Sequence, residues 1–126
     1  MKLSELKEVF SNPDLIISFT DNIKKEVDEY SSLLKKPGSS IPIYATQDTF
    51  LRFGHSDLIM LCKAYIDGTL HENYIHYIMD VLSLSEQVEF ESEELSDLSS
   101  SLADPEINGF LTHDEANRII NTLISN

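Results

Sequence analysis

Ser56-Asp57-Leu58-Ile59-Met60-Leu61-Cys62-Lys63-Ala64-Tyr65-Ile66, closed by Asp67-Gly68, is the stretch on which the fold turns. Ser56 offers an N-cap, and the Asp-Gly pair breaks the helix. Between them Leu58, Ile59, Leu61, Cys62 and Tyr65 leave little of the surface polar. A helix apolar on most sides has to be surrounded, so this segment predicts the centre of a helical core. Cys62 is the single cysteine and lies inside the apolar run, which predicts a buried, inert thiol.

Upstream, Ser4 can cap a short helix reaching about Phe10. Asn12-Pro13-Asp14 is a start signal, with an N-cap side chain, a proline at the first helical position and an acid near the positive end of the dipole. Leu15, Ile16, Phe19, Ile23, Val27, Tyr30 and Leu34 then recur at three- and four-residue steps, predicting a long amphipathic helix ended by Lys35-Lys36-Pro37-Gly38. Residues 37–48 are the least regular stretch. Within it Pro42 confines Ile41-Pro42-Ile43-Tyr44 to a loop or a sheet edge. A helical turn is expected around Thr49 to Phe53.

Downstream, Thr69-x-x-Glu72 reads as a capping box opening a helix lined by Ile75, Ile78, Met79 and Leu82. Val88-Glu89-Phe90 is a brief extended link, and Ser92-Glu93-Glu94 starts a helix through Leu95, Leu98 and Leu102. A second capping box, Thr112-x-x-Glu115, opens the last helix, where Ala116, Ile119, Ile120, Leu123 and Ile124 share one face. With no repeat or dividing linker, residues 1–126 read as one all-α, bundle-like domain of five or six helices, with an irregular loop around residues 37–48.

The chain has 126 residues, 41% hydrophobic content and a net charge of −13. That is enough apolar material for one core. The charge argues against nucleic acid or an anionic membrane as direct partner. It is also lopsided: residues 1–63 hold eight basic and nine acidic side chains, residues 64–126 one basic (Arg118) and thirteen acidic. The densest window is Glu86, Glu89, Glu91, Glu93, Glu94 and Asp97. Such a face is either a solvated surface that maintains solubility or a field that attracts a basic protein. No apolar stretch follows Lys2 and Lys7, and Leu58–Cys62 is far too short to span a bilayer. A cytoplasmic protein is expected.

Catalytic chemistry finds little support. His71 and His76 are five apart, so on a regular helix they diverge by about 140° and cannot share one metal ion. His55 and His113 lie beside expected caps. Cys62 has no nucleophile motif around it, the four glycines are isolated, and Glu93-Glu94 point in different directions. No enzyme is expected. One metal motif fits in part: Asp104 to Glu115 places Asp104, Asn108, Gly109, Leu111 and Glu115 at positions 1, 5, 6, 8 and 12 of a calcium loop. Glu106, at position 3, is a methylene too long. The same residues also read as a metal-free turn, with Pro105 stopping one helix, Asn108-Gly109 turning and Thr112 and Glu115 capping the next.

Ile66-Asp67-Gly68-Thr69-Leu70, Tyr77 to Ser85, Val88-Glu89-Phe90 and above all Asp104-Pro105-Glu106-Ile107-Asn108-Gly109 resemble the immunity proteins of bacterial contact-dependent growth inhibition systems. The resemblance covers about residues 56–126. Phe110 stands where that family has proline, and Asp80-Val81-Leu82 replaces Asp-Ala-Leu. It implies a protein that neutralises one cognate toxin C-terminal domain, often a nuclease with a basic surface. Its motif residues are loop and packing positions, so no binding residue transfers. The expected contacts come from composition instead: the acidic window, with Tyr74 and Tyr77 as aromatic anchors. Tyr77 also reads as core, given Ile78 and Val81 beside it. The competing readings are a calcium-responsive helical module and an acidic mimic of nucleic acid.

Overall fold

Helices form where the apolar spacing demands them, and their ends are set partly by local caps and partly by contacts between distant segments. The computed structural model describes residues 1–36, 38 and 41–125. Among these, α1 spans Leu3–Ser11, α2 Ile16–Leu34, α3 His55–Ile66, α4 Glu72–Leu84, α5 Glu93–Leu102, α6 Pro105–Asn108 and α7 His113–Ile124. A 3-10 turn at Pro13–Leu15 leads into α2, and two short strands, β1 (Leu51–Phe53) and β2 (Val88–Phe90), complete the fold. The fold is mainly helical, as expected, with the single-turn α6 and a two-stranded sheet added.

The Ser56–Ile66 reading holds: Leu58, Leu61 and Cys62 are buried, and α3 packs broadly on α7 through Ala116, Ile119, Ile120 and Leu123. Helix α4 supplies the other half of the core with Ile75, Tyr77, Ile78, Met79, Val81 and Leu82, packed between α2 and α5. Ile124 departs from expectation. It lies at the frayed end of α7 and is 65% exposed.

The expected helical turn at Thr49–Phe53 is wrong. Leu51, Arg52 and Phe53 form β1, paired parallel with Val88, Glu89 and Phe90. Leu51 and Phe53 alternate inward with Arg52 outward, the period-two burial of a strand. Phe53 stands edge-on to Phe90 at 5.9 Å. Three residues are too few to carry a periodic signal, and the partner strand lies 37 positions away in the register.

Four caps also differ from the sequence reading. Asn12 makes no side-chain cap bond, Pro13 opens the 3-10 turn and not α2, and Leu15 is left exposed. Ser4 is inside α1, and its backbone N–H (3.0 Å) and hydroxyl (2.6 Å) both donate to Asp48, so the α1 start is capped from across the loop. Helix α3 starts after Gly54 and not at Ser56, with the Gly54 N–H donating to Asp57 Oδ2 at 2.8 Å. Helix α4 starts after His71, whose Nδ1 accepts from the Asn73 N–H at 3.2 Å. Thr69 belongs instead to the end of α3, where its N–H and that of Leu70 both donate to Ala64 O. Ser92 and Thr112 cap α5 and α7 as expected, accepting from Leu95 and Glu115 N–H.

Of the irregular loop, residues 37, 39 and 40 lie outside the described residues, as does the Pro37 expected to stop α2. Residues 41–45 have no regular structure, and Thr46 makes an isolated parallel bridge with Lys2. No helix among the described residues is long and apolar enough to cross a membrane.

Candidate functional site

The acidic window occupies one continuous segment: the turn after α4, then β2, then the first turns of α5. Glu86, Glu89, Glu91, Glu93, Glu94 and Asp97 are all exposed. Each is placed by a specific device. Gln47 Oε1 accepts from the N–H groups of Glu86 (2.9 Å) and Gln87 (3.1 Å), pinning the turn to the residue 41–50 region. The alternation of β2 turns Glu89 outward, in register with the outward Arg52 of β1. Glu93 and Glu94 follow the Ser92 cap in the first turn of α5, where a carboxylate is favoured by the helix dipole. Asp97 lies one turn further on.

Glu91 has a structural task that the sequence did not reveal. Its Oε1 accepts from the His55 N–H at 3.2 Å, and its Oε2 lies 3.5 Å from His55 Nδ1. It therefore neutralises the N-terminus of α3 from another segment, and His55 Nε2 extends the connection to Ser92 Oγ at 2.8 Å. A Cβ at Gly54 would stand 2.9 Å from Glu91 Oε1, so a side chain there would push the carboxylate end aside.

The expected aromatic anchors separate. Tyr74 is half-buried on α4, beside the Lys24–Asp28 pair of α2 and away from the acidic segment. Tyr77 is fully buried and offers a partner nothing. Its hydroxyl accepts from the Tyr44 N–H at 3.1 Å, and its ring meets Tyr30 edge-on at 5.3 Å. Ile75, Ile78 and Tyr77 fill the same core, so the packing reading of Tyr77 replaces the anchor reading.

Two titratable side chains of α4 face inward instead. His76 is fully buried, with Nδ1 donating to Leu102 O at 2.7 Å and Nε2 accepting from the Leu111 N–H at 3.1 Å. That pattern requires the neutral ring, and burial holds its pKa below the ordinary imidazole value. One turn later, burial and then the neighbouring Asp104 push Asp80 up to about 6. The Tyr30 hydroxyl, also buried and close enough to feel Asp80 and Asp104, has no hydrogen-bond partner. Burial likewise pushes the Cys62 thiol up to about 12, so it stays protonated and unreactive at neutral pH.

The 104–115 segment is built as a turn. Pro105 starts α6, the Asn108 side-chain amide donates to Ser101 O (3.1 Å) and Asp104 O (3.3 Å), and Gly109 takes φ +85°. Asn108 thus spends its amide nitrogen on closing α5. Among the described residues no group of three or more His, Cys, Asp or Glu side chains is arranged to hold a metal ion. No protein-family model, curated protein or solved structure matches the chain.

Proposed function

We propose that this chain is an immunity-type protein that binds one cognate toxin C-terminal domain and neutralises it as a stoichiometric, non-catalytic cytoplasmic inhibitor. The observation that carries the reading is the lopsided charge. Residues 64–126 hold thirteen carboxylates and one cation, and the six window carboxylates are exposed on a segment pinned by Gln47, Ser92 and β1. Repulsion within such a face destabilises the unbound protein, and a basic surface relieves it. A nuclease domain presents such a surface to its substrate. The resemblance of residues 56–126 to contact-dependent growth inhibition immunity proteins supplies the biological role.

The physical mechanism is steered association: the field speeds encounter, while close packing sets the lifetime of the complex. Discrimination against non-cognate toxins would come from charges left unpaired in the wrong complex. The test is co-expression with the C-terminal domain of the protein encoded directly upstream. Restored growth together with a purified one-to-one complex is expected. Unrelieved toxicity with the immunity chain expressed and folded would refute the reading. Replacing Glu89, Glu93 and Asp97 by lysine should slow association and flatten its dependence on salt, whereas an unchanged rate places the interface elsewhere.

A further inference from the structure

The two expected aromatics give the acidic segment no anchor, since Tyr77 is buried and Tyr74 lies beside the Lys24–Asp28 pair; Leu84, 68% exposed, is a single apolar side chain at its start. Beyond the far end of α5, two exposed apolar side chains stand on one turn. Ile107 is 80% exposed, the highest value among the large exposed hydrophobics, and Phe110, three residues on, is 50% exposed. A single exposed apolar residue needs no explanation, but two on one rigid turn are a different matter.

The turn is rigid for identifiable reasons. Asn108 ties it to the end of α5 through Ser101 O and closes it internally through Asp104 O, Gly109 takes a backbone conformation closed to other residues, and the Phe110 ring stands edge-on to buried His76 at 5.5 Å. The two side chains are therefore held out with little ordering left to lose on binding. Their surroundings are acidic: Glu106 and Asp114 are exposed and Asp104 is partly so, while the sole cation of this half, Arg118, sits one turn into α7.

We propose that Ile107 and Phe110 are the apolar anchor of a docking surface whose steering element is the acidic segment ending in α5, and that its occupant is a basic protein surface with an apolar recess. Charge selects this occupant. A second copy would bring carboxylates against carboxylates, and nucleic acid or an anionic bilayer would be repelled. The proposal rests on the toxin-binding reading and adds where the complex gets its lifetime.

The probe is the purified toxin domain encoded directly upstream, with binding kinetics recorded for the full chain. Ile107→Asp should weaken the complex about tenfold or more, chiefly through faster dissociation. Phe110→Ser should do the same. Ile107→Asp should melt like the parent, because the side chain contributes almost nothing to the core. Ile17→Asp, at a 62% exposed position on the near-neutral half, should bind normally. Parent-like binding by both loop variants overturns the anchor while leaving the toxin-binding reading intact. Equal weakening by Ile17→Asp overturns it too, as does a parent dimer that Ile107→Asp dissolves. Absence of any complex with the folded parent overturns both readings together.

Discussion

Replacing Asp80 by Asn should make this protein more stable at neutral pH, with a pH dependence that identifies the cause. Asp80 is half-buried on α4, and its pKa is pushed up to about 6 by burial first and by Asp104 second. Its unfolded value is near 3.8. The native state therefore holds the proton more tightly, so the favourable contribution is whole below about pH 4 and lost as pH rises through about 6. By pH 7 the carboxylate is charged in both states and destabilises the fold. The gap between the two values corresponds to about 3 kcal/mol, which solvent screening of a half-exposed group reduces to about 1–2 kcal/mol. Asn keeps the shape and removes the charge. Urea unfolding of both proteins from pH 4 to pH 8 should show a difference near zero at the acid end, rising to a plateau of about 1–2 kcal/mol above pH 6.5. Taking the difference cancels the titration of His76, which is common to both. A pH-independent difference, or a less stable Asn variant at pH 7, would refute the assignment of Asp80 as a strained carboxylate.

His76→Leu leaves the Leu102 carbonyl and the Leu111 N–H buried without partners and should cost about 2–4 kcal/mol, measured by the same unfolding assay. In the parent, the neutral ring's contribution is complete above about pH 6.5 and falls as pH drops further, so that loss should be absent from the Leu variant. Tyr30→Phe removes a buried hydroxyl that has no partner, so the thermal midpoint should hold or rise; a drop equivalent to 1 kcal/mol or more, of about that order for one lost hydrogen bond, would mean that the hydroxyl is bonded. Gly109→Ala forces a side chain into φ +85°, ψ 161° and should cost about 1–3 kcal/mol, although nothing stands within 4 Å of the added methyl.

Periodicity alone carried the helices. The three- and four-residue spacing from Ile16 to Leu34, the apolar run of α3 and the shared face of α7 are local, repeated signals, and each became a buried face. The Ser92 and Thr112 caps were equally legible, because each side chain bonds an N–H three residues away. Charge asymmetry, too, belongs to the sequence. Tyr77 was legible only as an ambiguity, since an aromatic residue among apolar neighbours suits a core and an interface alike.

What tertiary structure decided were the features made by residues far apart in the chain. The β1–β2 sheet joins strands of three residues each, too short for periodicity, and exists because Phe53 and Phe90 close over the core. Asp48 caps α1 and Glu91 straps the start of α3 from 44 and 36 positions away, so no local pattern could assign them. His76 looked like half of a failed metal pair until folding brought Leu102 and Leu111 to its two nitrogens. Local periodicity sets which face of a helix is apolar; only packing determines which polar atoms meet, because hydrogen bonds act over about 3 Å between groups the chain itself keeps far apart.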